Sequence, residues 1–412
     1  MRRQKHTHGA HTRKQQHTIS SSSHHLPLAG LTFRDTRPSY LEPRGVPSGG
    51  DWALERYGAV FIEGATDAMI DGCLFTHLDS NALFLSGFSR RTVISDNEFC
   101  WLGQSAIASW GYLEGETNSG LGGDQPRGTI VTGNLGRELG HYQKQSSFYF
   151  QAISALTTLH ANVVFNIPRA AINFNDGFGG GNVITDNLLF NTCRESSDHG
   201  AFNSWDRLPY VTAIGDGSTP STIPAYTEVH NNFIVANYGA DGGCLDNDDG
   251  TSYYKIHDNV CFFGGHKSDF DGHDKLSYGN LHIYPAVYGV KCVGELQALP
   301  KKGYAEGYYG NICILPKAGG LYASLGNCPG NLKNDTASIA ALEAGIRLGN
   351  NTVYCPGGEP TIKCGSQTIN MTELHRRGYD RGTVVKATLP SNDTIIEWAK
   401  ALLRPASRVR TS

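Results

Sequence analysis

The feature that most constrains this fold is a short motif that recurs along the chain. In each copy an asparagine separates two short runs of alternating apolar residues, as in Ile94-Ser-Asp-Asn97-Glu-Phe99 and Ile184-Thr-Asp-Asn187-Leu-Leu189. The asparagines at this position are Asn97, Asn134, Asn162, Asn187, Asn232, Asn259, Asn280 and Asn311. Recurrence of one short unit indicates a repeat protein in which each unit contacts mainly its neighbours. We expect each asparagine to adopt the left-handed backbone conformation of a tight corner and to bond through its amide to the next asparagine in a ladder.

A second family of short apolar strands precedes the first in each unit. Its early members begin at Gly58, Asn81 and Ser105, which are 23 and 24 residues apart. Short strands joined by tight turns fit that spacing, and they are stable only when one coil stacks on the next. The sequence therefore predicts an all-β fold, a right-handed parallel β-helix (a solenoid), over residues 30–325.

Both ends of the chain depart from the repeat. Residues 1–29 are basic and rich in His and Ser, which predicts a disordered tail. Gly30-Leu-Thr-Phe33 already resembles a coil from inside a stack, so we expect the natural chain to begin earlier. Residues 326–412 lose the repeat, and the segments that start at Asp335 and Ser391 read as helix starts. They predict a small helical or irregular C-terminal cap.

Charge and cysteine content narrow the possible partners and the compartment. The net charge of −3 gives no reason to expect nucleic acid or an anionic membrane, and no apolar segment is long enough to span a bilayer. The ten cysteines contain no Cys-x-x-Cys pair, so we expect no structural zinc site, and we expect Cys261 and Cys313 to be core thiols. Glycosylation sequons favour a secreted glycoprotein, although the N-terminal residues lack the apolar run of a signal peptide. These sequons begin at Asn334, Asn350, Asn370 and Asn392.

The candidate catalytic groups come from an alignment of three units. Ala170-Ala-Ile-Asn-Phe-Asn-Asp176, Gly200-Ala-Phe-Asn-Ser-Trp-Asp206 and Gly242-Gly-Cys-Leu-Asp-Asn-Asp248 place three aspartates in one register. Adjacent parallel strands lie about 4.8 Å apart, so neighbouring carboxylates in such a column suit the separation of about 5–5.5 Å in retaining glycosidases. Asp198 is a further candidate acid in the same region.

The residues around this column are of the types that bind sugars. Aromatic rings stack on pyranose faces, and polar side chains bond to hydroxyls or carboxylates. The predicted substrate-binding residues are Trp110, Tyr149, Gln151, Asn173, His199, Asn203, Trp205, Arg207 and Asp246. We expect no cofactor. Calcium is an alternative, because the segment Asp246–Gly250 is rich in oxygen ligands.

Three motifs carry a resemblance to known proteins. NFNDGFGGGN (173–182), ESSDHGAFNSWDR (195–207) and DNDDGTSYY (246–254) resemble β-helix glycoside hydrolases of the pectin-lyase-like superfamily, among them bacterial enzymes that act on xylosides and fucosides. The resemblance covers roughly residues 30–405. It implies a pair of acidic residues on adjacent coils, for which Asp176, Asp206 and Asp248 match, with Asp198 close by.

Three functions remain open from the sequence. The first is a glycoside hydrolase that cleaves a polysaccharide through paired aspartates. The second is a polysaccharide lyase or epimerase acting on a uronic-acid polymer, with Arg169, His199 or Arg207 as the base and calcium as a possible aid. The third is a non-catalytic carbohydrate-binding or wall protein, since the same fold serves all three roles.

Overall fold

The fold is given by a computed structural model of the chain. It describes residues 18–20, 26–36, 55–112, 124–175, 179–205, 212–214, 219–221, 225–239, 243–268, 272–285, 291–296, 306–325 and 346–403. Within these ranges the strands form three long sheets, which we call A, B and C, and one separate hairpin.

Sheet A contains β1 Thr18–Ser20, β4 Val60–Thr66, β7 Leu83–Arg90, β10 Ile107–Trp110, β14 Tyr149–Ala152, β17 Ile172–Asn175, β20 Phe202–Trp205, β25 Leu245–Asn247, β28 His266–Ser268, β31 Val293–Leu296, β34 Leu321–Leu325, β37 Thr361–Cys364 and β38 Gln367–Asn370, with β11 Pro126–Arg127 beside β7. Sheet B contains β2 Pro27–Ala29, β5 Met69–Asp71, β8 Val93–Ser95, β12 Ile130–Thr132, β15 Thr158–His160, β18 Val183–Thr185, β23 Thr227–His230, β26 Ser252–His257, β29 His273–Tyr278, β32 Glu306–Tyr309 and β35 Ile346–Gly349.

Sheet C contains β3 Thr32–Arg34, β6 Leu74–Leu78, β9 Glu98–Leu102, β13 Leu135–Arg137, β16 Val163–Phe165, β19 Leu188–Phe190, β24 Phe233–Val235, β27 Val260–Phe262, β30 Leu281–Ile283, β33 Ile312–Ile314, β36 Thr352–Tyr354 and β39 Val384–Lys386. The hairpin pairs β21 Thr212–Ile214 with β22 Thr219–Ser221. The helices are α1 Met371–Arg376 and α2 Asn392–Leu402.

The chain visits the three sheets in turn, so that each circuit is one coil. It passes from β7 in sheet A to β8 in sheet B and β9 in sheet C, and then returns to sheet A at β10, which pairs in parallel with β7. Successive coils repeat this path along the stack, and connections between parallel strands are right-handed as a rule. The protein is a right-handed parallel β-helix, as the sequence predicts.

The predicted asparagine ladder runs along the corner between sheets B and C. Asn187 shows the pattern, because its Nδ2 donates to Asn232 Oδ1 at 2.9 Å while its Oδ1 accepts from both the backbone N–H and the Nδ2 of Asn162, at 3.0 and 2.9 Å. The left-handed residue is not the ladder asparagine, which corrects our expectation, but the residue before it. Asp186, which precedes Asn187, has a φ of 59°. At this corner Asp186 adopts the left-handed backbone conformation, and Asn187 makes the ladder hydrogen bonds.

The interior is packed by side chains that stack in files from coil to coil. Phe33, Phe75 and Phe99 of sheet C stack with ring centroids 4.8 Å apart at each step. The next residue of this file is Gly136, and a Cβ there would lie 2.4 Å from the ring of Phe148. A glycine is therefore needed at that position to let the large ring enter the core.

The coils extend beyond the boundaries that the sequence suggested. β1 and β2 lie inside the segment predicted as a disordered tail, and β35, β36 and β39 continue sheets B and C within the predicted cap. The ladder continues from Asn311 to Asn351 and Asp380. The helix predicted at Asp335 lies outside the described residues.

The C-terminal helix is present as predicted, but it lies against the side of the stack. Ser391 caps α2 by accepting a hydrogen bond from the N–H of Thr394, and Ile395 and Trp398 pack with the outward residues of sheet C, among them Ile283. No helix among the described residues is long and apolar enough to cross a membrane. Cys261 is a buried thiol as expected, whereas Cys313 forms a disulfide with Cys292.

The ladder gives a stability prediction. Asn187→Ala removes the bonds to Asn162 and Asn232 and leaves the buried backbone N–H of Asn162 and carbonyl of Leu159 without the Asn187 amide, which we expect to cost of order 3 kcal/mol. Urea unfolding of the two proteins measures the difference. The exposed Asn392→Ala serves as the control and should change stability by less than about 0.5 kcal/mol. Equal unfolding midpoints for Asn187→Ala and Asn392→Ala would contradict the structural role of the ladder.

Candidate functional site on the outer face of sheet A

The site is built by strand alternation on sheet A. Successive side chains of a strand point to opposite faces, so Ile172 and Phe174 enter the core while Asn173 points outward. Parallel register then stacks Asn173, Asn203, Asp246 and Lys267 in one outward file across β17, β20, β25 and β28. The fold thereby brings four polar side chains from distant parts of the sequence into one row.

The character of this face changes along the stack. In the earlier coils the same file is occupied by Phe84, Ala108 and Phe150, which form a buried apolar cluster outside the main core. From β17 onwards the file becomes polar. Burying polar groups is costly unless they are paired. The change from apolar to polar residues therefore indicates that this part of sheet A has a functional role in addition to packing.

Three carboxylates converge on one lysine at the end of the polar file. Lys267 Nζ lies 3.2 Å from Asp198 Oδ1, 3.6 Å from Asp246 Oδ1 and 3.7 Å from Asp248 Oδ1. We call these four residues the carboxylate cluster. Their exposures differ widely: Lys267 and Asp246 are buried at 4% and 0%, Asp248 is 13% exposed, and Asp198 is 64% exposed. The cluster therefore reaches from the buried surface of the sheet to solvent.

A buried amide network continues from the cluster along the file. Asn203 Nδ2 donates to Asn173 Oδ1 at 3.0 Å, and the fully buried guanidinium of Arg169 donates to the same oxygen at 2.5 Å. Asn173 Nδ2 in turn donates to Asn175 Oδ1 at 2.6 Å. The buried Oδ1 of Asn203 accepts no hydrogen bond from the described residues. This network fixes the side chains on which the cluster rests.

Several residues predicted from the sequence lie on or beside this face. Asn173, Asn203, Asp246, Asp248 and Asp198 come together as described. His199 adjoins Asp198 and is buried, with its Nδ1 bonded to the hydroxyl of Ser196. Trp205 is partly exposed and packs against the apolar cluster.

Other predicted residues lie elsewhere. Tyr149 and Gln151 point into the interior, where the Tyr149 hydroxyl donates to Gln151 Oε1 at 3.2 Å, which corrects their assignment to the substrate surface. Trp110 is three strands away from Trp205 in sheet A, and the guanidinium of Arg56 covers its ring at 4.2 Å. Asp176, Asp206 and Arg207 lie outside the described residues.

The register also corrects the alignment of the three units. β20 pairs with β25 so that Asn203 lies beside Asp246 and Ser204 beside Asn247. The sequence alignment had set Asn203 against Leu245, one residue away. A shift of one residue moves every side chain to the other face of a strand. Asp246, which the alignment treated as a binding residue, is therefore the carboxylate in the same file as Asn173 and Asn203.

Lys267 is the functional candidate that the sequence analysis missed. It lies in β28, whose three residues His-Lys-Ser show no apolar alternation, so no strand was expected there. The signal that could have located it is its distance from the ladder. Asn259 and Asn280 bound one coil, and that coil needs a sheet A strand between them.

A chain of polar groups lies in the interior directly beneath the cluster. Asn247 Nδ2 donates to the hydroxyl of Ser204 at 2.8 Å, and its Oδ1 pairs with His266 Nε2 at 3.0 Å. Burial, together with the nearby positive charges of His282 and Lys275, lowers the pKa of His266 to about 3. His266 is therefore held neutral, as the donor that fixes Asn247 between the outward Asp246 and Asp248.

The state of His266 gives a pH prediction. The unfolded chain protonates this histidine near pH 6.5, while the folded chain keeps it neutral. Its contribution to the free energy of unfolding is therefore present above pH 6.5 and is lost as the pH falls toward 3. Between pH 7 and pH 5 the free energy of unfolding of the wild type should fall by about 2 kcal/mol more than that of His266→Gln, measured by urea unfolding. His141→Gln, at an exposed histidine, should behave as the wild type. The same pH dependence in wild type and His266→Gln would contradict a buried neutral imidazole.

Two further features of the described residues bear on the choice of site. They contain no group of three or more His, Cys, Asp or Glu side chains arranged to hold a metal ion. A surface cavity of about 460 Å³ lies at the sheet C corner of the early coils, lined by Asp35, Thr36, His77, Leu78, Asp79, Trp101, Gly103, His141 and Tyr142. Its Trp101 ring lies between His77 and His141 and is 44% exposed. The carboxylate cluster remains the better candidate because it gathers charged groups around one point.

Comparison with known proteins adds little beyond the architecture. No family model and no curated protein matches this sequence. Among solved structures the chain is similar to a glycoside hydrolase, with a TM-score of 0.42 and 13% identity over 72% of this chain, and it spans only 41% of the length of that protein. It is also similar to an alginate lyase from Paenibacillus sp. str. FPU-7, with a TM-score of 0.40 and 12% identity over 74% of this chain and 90% of the lyase. At these values the similarity carries no argument about activity, and the assignment of the fold rests on the three parallel sheets.

Proposed function

We propose that the chain is a carbohydrate-active enzyme, a glycoside hydrolase that cleaves a polysaccharide at the carboxylate cluster. The observation that supports this proposal is the convergence of Asp198, Asp246 and Asp248 on Lys267 at the outer face of sheet A. Glycoside hydrolysis needs two carboxyl groups on either side of the scissile bond, one as acid and one as nucleophile or base.

The separation of the carboxylates is compatible with this chemistry. The oxygens of Asp246 and Asp248 lie 3.6 and 3.7 Å from the same nitrogen, so they are no farther apart than the sum of these distances. Retaining enzymes hold their carboxyl groups about 5–5.5 Å apart, and inverting enzymes begin at about 6.5 Å. Either stereochemical course is open to this pair.

The surroundings of the three carboxyl groups support a division of roles. Asp246 is fully buried, Asp248 is mostly buried, and Asp198 is open to solvent. Carboxyl groups in unlike surroundings are the usual basis of paired acid and base chemistry. The Lys267 ammonium favours ionised carboxylates beside it, and an ionised carboxylate is what a nucleophile or base must be.

The shape of the stack suits a polymeric substrate. Coils stacked in one direction present a straight outer face, and Trp205 adjoins the cluster on β20 with part of its ring exposed. An exposed indole beside polar groups can stack on a sugar ring while the cluster engages the glycosidic bond. We therefore propose a polysaccharide or oligosaccharide as the substrate.

We also propose that the protein is secreted and glycosylated. The sequon residues Asn350, Asn370 and Asn392 are all exposed, which glycan attachment requires.

The proposed hydrolase is tested by conservative variants on a panel of polysaccharides. Asp246→Asn and Asp248→Asn keep the shape of each side chain but cannot exchange protons or act as nucleophiles, so each should reduce glycan cleavage by about 100-fold or more. Asp258→Asn is the matched control, since it lies at a corner with a φ of 54° that asparagine also tolerates, and it should retain full activity. Unchanged cleavage in both cluster variants would refute the proposed site.

A polysaccharide lyase is the second candidate, and one observation favours it. Arg169 and Lys267 place two buried cations along the same file, and cations neutralise the carboxylate of a uronic acid. The product separates the two reactions, since a lyase leaves an unsaturated sugar that absorbs ultraviolet light while a hydrolase leaves a new reducing end without it. Binding of a glycan without any cleavage would instead support a carbohydrate-binding protein.

A further inference from the structure

The interior of the stack contains a second pair of cysteines in the same arrangement as the disulfide. Cys292 immediately precedes β31 of sheet A, and Cys313 is the central residue of β33 in sheet C. Cys244 immediately precedes β25 of sheet A, and Cys261 is the central residue of β27 in sheet C. In each pair the two cysteines belong to one coil, and both members of the second pair are thiols in this structure.

Strand register shows that the two pairs occupy equivalent positions. In sheet A, Leu245 lies beside His266, which lies beside Val293, so that Cys244 and Cys292 fall in one file two coils apart. In sheet C, Cys261 lies beside His282, which lies beside Cys313.

Backbone hydrogen bonds confirm the equivalence. The N–H of Phe202 donates to the carbonyl of Cys244, and the N–H of His266 donates to the carbonyl of Cys292. In each pair, therefore, one cysteine lies immediately before the sheet A strand and the other lies at the centre of the sheet C strand of the same coil. The coil between them has Gly265 and His282 at these positions.

The surroundings bring the two thiols together. Both side chains are fully buried, and a Cβ on Gly264 would lie only 2.3 Å from Cys244 Sγ, so a glycine there leaves room for the sulfur. Burial raises the pKa of Cys261, but hydrogen bonds from Cys244 and His282 outweigh this effect and lower the pKa to about 6. The hydrogen bond between the two thiols places their sulfurs side by side in the folded coil, where a disulfide would join them.

We propose that Cys244 and Cys261 are the site of a second interior disulfide, formed when the chain folds in an oxidising environment. The Cys261 thiolate attacks a disulfide-form oxidant, such as glutathione disulfide, and one thiol of the oxidant leaves. Cys244 then loses its proton and displaces the second thiol. Two protein thiols are oxidised to one disulfide, and the oxidant is reduced to two thiols. Because both sulfurs are buried in the finished stack, the exchange occurs before this coil closes.

The proposed bond would enclose the candidate site. The loop between Cys244 and Cys261 contains Asp246 and Asp248, so a cross-link would fix both ends of the segment that carries these two carboxylates. With Cys292–Cys313, it would join sheets A and C on both sides of the coil that carries Lys267 and His282. This arrangement does not depend on the reaction that the site performs.

Peptide mapping of the full chain tests the proposal directly. The reduced, denatured protein is refolded in a mixture of reduced and oxidised glutathione, quenched with acid, alkylated under denaturing conditions and digested without reductant. We expect a cross-linked peptide that joins Cys244 to Cys261, beside the Cys292–Cys313 peptide, which serves as an internal control. Alkylated Cys244 and Cys261 in a sample that contains the Cys292–Cys313 link would overturn the proposal, as would a link from Cys244 to the neighbouring Cys193.

A pair of variants tests the structural consequence. Reductant should lower the unfolding temperature of the wild type and of Cys73→Ser, a buried thiol in an early coil, by the same amount. It should lower that of Cys261→Ser by less, because one of the reducible bonds is already missing. An equal decrease in all three proteins would contradict a stabilising cross-link. If Cys261→Ser does not fold, the peptide map of the wild type still decides the question.

Discussion

The interaction on which the rest of this structure depends is the hydrogen bond between stacked asparagines. A corner in a parallel coil leaves backbone groups inside the protein that no strand can pair, and such groups are costly when buried. Asn187 and its equivalents satisfy these groups within their own coil and in the preceding one, and bond through the amide to the asparagine of the next coil. Because each amide must meet the one on the following coil, the ladder fixes the register of every strand that follows it. Stability and register thus have one source.

Register decides which side chains meet on the outer face, and this explains how far the sequence could be read. The ladder is visible in the sequence because one residue type recurs, so the fold was predictable. The helix at Ser391 was predictable from its capping residue, and the polar region from Asn173 to Asp248 from its density of polar side chains. The pairing of Asn203 with Asp246 was not, since β20 and β25 are separated by a long connection and share only short strands. A misplacement by one residue was enough to select the wrong neighbours for Asp248.

Lys267 was missed for a related reason. Sequence patterns detect strands through apolar residues that face a core, but the interior around β28 is largely polar. His266 and Ser268 face inward in β28. A buried ion pair also lies in this part of the stack, with Lys275 Nζ 2.9 Å from Glu306 Oε1. Strands of this kind have no alternation to recognise, and only the spacing between ladder asparagines shows that they must exist. The coils that matter most for the candidate site are therefore the ones that the pattern describes least well.

The inner and outer faces of β25 are best understood together. Leu245 and Asn247 face the interior while Asp246 and the following Asp248 face outward, so anything that holds Asn247 also holds the two carboxylates between which it lies. Ser204 and His266 hold it by hydrogen bonds from the neighbouring coils. A hydrophobic residue at position 247 would pack but would not fix an orientation. The polar groups in the interior beneath the carboxylate cluster thus act as its support, and the core polarity at these coils accompanies the polar outer face.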